Sequence, residues 1–200
     1  MNDAAQPVTT RDAILDATDR LLARYGYKKM TIDDLAKEVG IGKGSVYLHF
    51  ESKQEIALSH IDRIVERLKT SLYATAQSKG TPEKKLRRML IDRVLIRFDS
   101  VQHYTQSLNE LLAQVRPQLL ERRKRYFEEE ARLFALIISE GKTSGIFKVR
   151  DPMETGRTLI DMTNALLPYS LSAWELGERS EIEKKANNVA DLLLTGILKR

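Results

Sequence analysis

Apolar residues recur along this chain with helical spacing almost from end to end. Ile14, Ala17, Thr18, Leu21, Leu22 and Tyr25 define a first helix, opened by Thr9 or Thr10 and stopped by Gly26. Leu35, Ala36 and Val39 define a short second helix. Thr31 is its natural N-cap, Asp34 can answer back to the cap, and Met30 and Leu35 stand at the positions of a hydrophobic staple. Gly40 ends this helix, because glycine takes a left-handed backbone without a Cβ penalty. Ile41 is expected to re-enter the core, and a third helix follows from about Gly42 to His49. Ser52, with Glu55 as its box partner, opens a long fourth helix running from Lys53 to about Ala76.

Gly80-Thr81-Pro82 then breaks the chain, with Thr81 as cap and Pro82 at the first helical position. Further helices are expected over about 82–98, 100–115 and 118–143, the second of them stopped before Pro117. The charged run ERRKRYFEEE at the start of the third reads as a solvated face laced with i, i+4 pairs. Residues 141–149 read as a turn. Asp151-Pro152 starts a helix to about Leu176, kinked or split by Pro168 and closed by Gly177. Ser180, with Glu183, caps a last helix ending near Arg200. No stretch alternates with period two over a useful length. The predicted class is therefore all-α with about nine helices, an N-terminal three-helix unit carrying a helix-turn-helix followed by a larger helical domain. The division is placed at the start of the long helix, giving residues 1–52 and 53–200.

The third helix has an unusual surface. Val46 and Phe50 lie i, i+4 apart and point inward, so the opposite side carries Gly44, Ser45, Tyr47 and Leu48, flanked by Lys43 and His49. This face has no acid. Its hydroxyl, phenol, imidazole and ammonium groups can donate to phosphates, Leu48 can lie against a thymine methyl, and Gly44 lets the backbone come close. Lys53 falls at the N-terminus of the next helix, where the dipole disfavours a cation unless an anion also sits there. A small satellite hairpin with a solvated face is the alternative. The cap, the glycine turn, the acid-free face and the oddly placed lysine together favour a DNA reader.

These residues also carry a resemblance. GKGSVYLHFESK resembles the recognition-helix signature of the TetR family of bacterial transcriptional regulators, and ILDATDRLLARYGYKKMTIDDLA is similar to that family's first helix and Gly-Tyr turn. The likeness covers about the first quarter of the chain. It implies an effector-binding and dimerisation domain over residues 53–200, with a small-molecule pocket lined by the middle helices. Candidates for that lining are Phe98, Tyr104, Asn109, Phe134, Met162, Asn164, Tyr169 and Trp174, which have the mix of apolar and placed polar groups that pockets use. Aromatic residues and Met at helical spacing equally suit plain core. The resemblance further implies that an effector tilts the long helix from Lys53 and changes the spacing of two reading heads.

The last two helices are apolar on more than one side. Leu159, Ile160, Leu166, Leu167, Val189, Leu192, Leu193 and Ile197 supply more apolar surface than one packing face needs, and Gly156, Ala165, Ala190 and Gly196 allow close helix approach. A two-fold homodimer fits this pattern, and the resemblance implies the same; an intramolecular core is the other reading.

Composition narrows the picture. Of 200 residues 42% are hydrophobic and 30% charged, as in a globular protein. With no Cys, disulfides and cysteine ligands are excluded. Net charge is +5, yet residues 1–53 hold eight Lys/Arg and eight Asp/Glu, so DNA binding must rest on the placement of Arg24, Lys28, Lys29, Lys37, Lys43 and Lys53. MNDAAQPVTT is no signal segment, and no apolar run is long enough to span a membrane, so a cytoplasmic location is expected. His49, His60 and His103 have no metal-ligand spacing, and no acid/base pair stands out. Gly141-Lys142-Thr143 has the end of a phosphate-binding loop, but Leu136 stands where its first glycine belongs and a helix precedes it.

No catalytic residue, metal or cofactor is therefore expected. The sequence reads as a ligand-responsive DNA-binding transcriptional regulator, a repressor that binds a palindromic operator as a homodimer and is released by a small-molecule effector. Tyr47, His49, Lys53 and Thr31 are expected to grip phosphates, with Lys43, Ser45 and Leu48 at base edges. Half-sites would lie about one turn, roughly 34–36 Å, or a multiple apart. The runner-up is a DNA-bound scaffold of the same fold that recruits a protein partner.

Overall fold

A computed structural model describes residues 9–168, 170, 175 and 177–198. Among these residues it has eight α-helices: α1 (Thr10–Lys29), α2 (Ile32–Val39), α3 (Lys43–Tyr47), α4 (Lys53–Gln77), α5 (Pro82–Val101), α6 (Thr105–Thr143), α7 (Pro152–Thr163) and α8 (Arg179–Ile197). Short 3-10 turns cover Gln102–Tyr104 and Asn164–Leu166. An isolated antiparallel bridge joins Phe147 and Leu198, and the described residues form no other β structure. The all-α expectation holds.

The chain forms two compact units. Unit 1 is Met1–Asp62 with His103–Arg116, and unit 2 is Arg63–Gln102 with Pro117–Arg200. Unit 1 thus takes in the segment 1–52 together with the first turns of α4 and the start of α6.

In unit 1, Thr9 caps α1 by accepting from the Asp12 N–H at 3.1 Å. Gly26, with φ 73° and ψ 169°, breaks the helical path inside Thr10–Lys29, which is the stop the sequence shows there. Ile14, Leu15, Leu21, Leu22, Met30, Leu35, Val46, Phe50 and Ile56 are buried together as the core of this unit. Ile41 is only partly buried. In unit 2 the core gathers Leu68, Leu72, Leu86, Met89, Leu90, Phe134, Ile138, Ile160 and Leu194.

Gly156 sets the approach of α7 to α6: a Cβ there would lie 2.8 Å from the backbone oxygen of Ala131. Backbone cannot yield as a side-chain tip can, so Gly156→Val is expected to destabilise the protein by about 1–3 kcal/mol through overpacking. Thermal melts of the two proteins check this, and an unchanged midpoint would show that the helices separate without cost.

Several boundaries differ from the sequence reading. Pro117 does not end a helix but lies inside α6. It removes one N–H from the ladder, yet Leu108, Leu111 and Val115 before it and Tyr126, Ala131 and Phe134 after it are all buried. The packing along the 39-residue helix outweighs one lost bond. The helix opened by Asp151 stops at Thr163, well short of Leu176. Leu167 is extended, with φ −89° and ψ 148°, which is what a residue before proline must be. The restraint of Pro168 therefore acts on the turn ahead of it. The last helix begins at Arg179, with Glu178 as an N-cap that makes no side-chain cap bond. Glu183 accepts from Arg179 Nη1 at 2.9 Å instead of boxing Ser180. The run ERRKRYFEEE is not all solvated face, because Tyr126 and Glu130 are buried.

Candidate nucleic-acid interface

The local chemistry of residues 31–53 builds one rigid element. Thr31 Oγ1 accepts from the Asp34 N–H at 3.1 Å, while the Thr31 N–H donates to Asp34 Oδ2 at 3.0 Å, a complete capping box. These bonds from Thr31 hold the Asp34 carboxyl below the usual carboxylate range. At the other end Gly40 takes φ 76°, and the N–H of Ile41 reaches the Ala36 carbonyl at 2.9 Å. The turn then delivers α3. Val46 and Phe50 anchor it, at 0% and 3% exposure.

α3 is shorter than expected. Its N-cap is Gly42, and Leu48 and His49 fall in the turn that follows. The His49 N–H bonds the Val46 carbonyl at 3.0 Å, an i→i−3 bond that tightens the end. The face opposite the anchors stands in solvent. Lys43, Gly44 and His49 are exposed and Ser45 is half-buried. Tyr47 is 49% exposed and Leu48 84%. Nothing lies within 4 Å of a Cβ placed on Gly44. So Lys43, Gly44, Ser45, Tyr47, Leu48 and His49 lie on one short, largely exposed stretch of unit 1.

The charges around this end are paired in ways the sequence did not show. Lys43 Nζ donates to Asp33 Oδ2 at 2.9 Å, and that hydrogen bond and charge hold its ammonium above the usual lysine value. Arg20 and Arg24 share Glu38, at 2.8 and 3.6 Å, and Lys28 faces Glu110 at 3.3 Å. Lys53 folds back: its Nζ donates to the Lys28 carbonyl at 3.3 Å and lies 4.4 Å from the centre of the Tyr27 ring. Burial lowers its pKa from the usual value. Thr31 Oγ1 also donates to Asp34 Oδ2, at 2.6 Å. Arg11 stacks on Phe50, 5.0 Å from the ring centre, and donates to Ser59 Oγ. Ser52 Oγ accepts from the Glu55 N–H at 3.1 Å and opens α4 as expected.

Six of the eight candidate effector residues are described, and they are divided between the two units. Phe98 and Phe134 are buried in unit 2, and Asn164 there accepts from Arg93. Met162, also in unit 2, is 55% exposed. Tyr104 and Asn109 belong to unit 1, where Tyr104 Oη lies 3.0 Å from His60 Nε2. Tyr169 and Trp174 lie outside the described residues. Of the dimer candidates, Leu159, Ile160 and Leu167 are consumed by the chain's own core. Leu166, Val189, Leu193 and Ile197 are partly buried, and Leu192 is 75% exposed. Among the described residues no group of His, Cys, Asp or Glu is placed to hold a metal ion, and no helix is long and apolar enough to cross a membrane.

Two family models match the chain: that of bacterial regulatory proteins of the tetR family over residues 14–59, and that of the tetracyclin repressor-like C-terminal domain over residues 82–190. The chain belongs to the TetR family. It is accordingly a DNA-binding transcriptional regulator, and the first match spans the capped turn and α3 described above. Among curated relatives, the fatty acid metabolism regulator protein of Bacillus subtilis is 24% identical over 192 residues, covering 92% of this chain and 93% of its own. The HTH-type transcriptional regulator EthR of Mycolicibacterium smegmatis is 34% identical over 77 residues, which is 38% of this chain and 36% of that protein. Among solved structures, SmeT, the repressor of the Stenotrophomonas maltophilia efflux pump SmeDEF, has a TM-score of 0.69 at 19% identity, with 96% of this chain and 91% of SmeT covered. That likeness is one of fold.

Proposed function

We propose that this TetR-family protein is a ligand-responsive repressor, working in the cytoplasm, that binds a palindromic operator as a homodimer and is released by a small-molecule effector. The observation that carries the DNA-reading part is the exposed face of α3 and its following turn. A leucine 84% exposed, beside an exposed tyrosine, histidine and lysine, has no role in the chain's own core. Leu48, Ser45 and Lys43 are assigned to base edges, and Tyr47, His49, Lys53 and Thr31 to phosphates. Lys43 reaches a base only by exchanging Asp33 for it, and Lys53 reaches a phosphate only by leaving the Lys28 carbonyl.

The dimer is supported by the apolar surface left on α8 around Leu192 after the core has taken Leu159, Ile160 and Leu167. Effector release is supported by the second family match and by the fold's occurrence in a SmeT–triclosan complex. Release requires the effector to bind the DNA-incompetent state more tightly than the competent one.

Selection from random duplexes with the purified protein at two salt concentrations tests the proposal. A two-fold symmetric site whose affinity falls steeply with salt is the expected result. A pool without an enriched site would sink it. Lys53→Ala is expected to weaken all sequences about equally and to lower the salt slope by roughly one unit. An unchanged slope would leave Lys53 with only its packing on Tyr27.

A further inference from the structure

Residues 42–49 carry no acid of their own, yet the fold lends them one. Asp33 and Lys43 are ten positions apart in the chain, and the Lys43 ammonium donates to Asp33 Oδ2 at 2.9 Å. Both side chains are about half exposed. Asp33 comes from the first turn of α2 and Lys43 from the first turn of α3. Asp33 takes no part in the capping box of α2, which Thr31 and Asp34 close between them. The two helices that carry the pair are firmly seated. Leu35 and Ala36 bury α2, Val46 buries α3, and the Ile41 N–H fixes the turn between them on the Ala36 carbonyl at 2.9 Å.

As a tie between two helices such a pair does little, since exposed ion pairs add little to stability. On a surface that meets DNA a carboxylate is also unfavourable, because phosphates repel it. It becomes favourable where a base offers it a donor. The major-groove edge of a G·C pair does so, presenting the guanine O6 acceptor beside the cytosine N4 amino group. Those two atoms are joined by one base-pairing hydrogen bond, about 2.9–3.0 Å for N–H···O. The donor and acceptor on the protein have the same separation, 2.9 Å, and the complementary polarity.

We propose that Asp33 is a base-reading residue, and that Asp33 and Lys43 together read one G·C pair in each half-site of the operator. The inference rests on the operator-reading function above and deepens it. Lys43 donates to guanine O6 and N7, and Asp33 accepts the cytosine N4–H that faces the groove. When Lys43 exchanges Asp33 for a base, the cytosine amino group replaces the lost partner of the carboxylate. The edge also separates G·C from its nearest rival. A T·A pair has the same central order, thymine O4 and then adenine N6, but its methyl falls on the ammonium side and its N7 acceptor on the carboxylate side. The two remaining pairs reverse the central order and set acceptor against acceptor.

The test uses the full-length protein and the operator it selects from random duplexes. Every position of one half-site is changed to each of the other base pairs, and affinities are measured for wild type, Asp33→Ala, Lys43→Ala and the double variant. The wild type is expected to prefer G·C at one position by at least about tenfold over the other pairs. Asp33→Ala and Lys43→Ala should each cut that preference to about threefold or less and leave the other positions unchanged. The double variant should cut it no further, because both side chains read the same pair. Three results would overturn the inference: Asp33→Ala keeps every base preference, it tightens all duplexes alike because Asp33 only competes with DNA for Lys43, or it acts at a position that Lys43→Ala does not touch. A wild type that selects an operator and gives one of these results overturns this inference alone. A wild type that selects no operator overturns the function beneath it.

Discussion

Glu130→Gln is expected to lower the stability of the ligand-free protein by about 3–5 kcal/mol, because it leaves buried guanidinium charge without its counter-ion. For a chain of this size that is a drop of roughly 6–20 °C in melting temperature. The two bonds from Arg93 and Arg97 converge on one fully buried carboxylate, so a neutral amide can keep the shape of the contact but not its charge. The same substitution has a pH signature. Burial alone would push the Glu130 carboxyl up, and the charges of Arg97 and Arg93 with their hydrogen bonds more than reverse it, so its pKa lies below the ordinary value. A carboxyl depressed in the folded state contributes stability that is complete above the unfolded-state pKa and is lost as the pH falls through the folded-state pKa. The wild-type protein should therefore lose this contribution on acidification below the ordinary glutamate range, and Glu130→Gln should not. Denaturant melts across that range, with both proteins, measure the difference. A variant that melts with the wild type at neutral pH would show the cluster to be energetically idle.

Leu48→Asp should abolish operator binding, by at least about a hundredfold or ~2.7 kcal/mol, while leaving the melting temperature unchanged. Leu48 is 84% exposed and sits in the turn after α3, so the fold loses no packing when it is replaced. The operator loses an apolar contact and gains a negative charge facing phosphates. Quantitative binding assays against the selected operator, alongside a thermal melt, separate the two effects. Binding within threefold of wild type would take this face away from the DNA, and a lowered melting temperature would give Leu48 a packing role.

The reading head was legible because its signals are short. A cap and its answering acid, Thr31 and Asp34, are three residues apart. Gly40 needs a left-handed backbone, and Val46 and Phe50 lie one helical turn apart. The structure keeps each of them. The helical period also located α1, α4 and α5 closely. Where two local signals competed the reading failed. Pro117 carries a strong stop, but its cost is one hydrogen bond, set against buried residues on both sides along α6. Pro168 carries a weaker one, and there the chain obeys it ahead of the proline, at Leu167.

The candidate ligand and dimer residues were harder, since apolar spacing says that a side chain is buried but not against what. Leu159 and Leu192 look alike in sequence; one is core and the other is 75% exposed. Lys53 stood out as a misplaced cation at a helix start. Its actual neighbours, the Lys28 carbonyl and the Tyr27 ring, lie 25 and 26 positions earlier in the chain. The sequence by itself determined the all-α class, the capped turn and the acid-free face, because each depends on contacts within a turn or two of helix. Only the tertiary structure decided which charges pair: Lys43 with Asp33, and Glu130, at the end of a run that reads as solvated, with Arg93 and Arg97. Charge pairing depends on distance through space, and the approach of α5 to α6 that buries Glu130 is written in no local stretch of the chain.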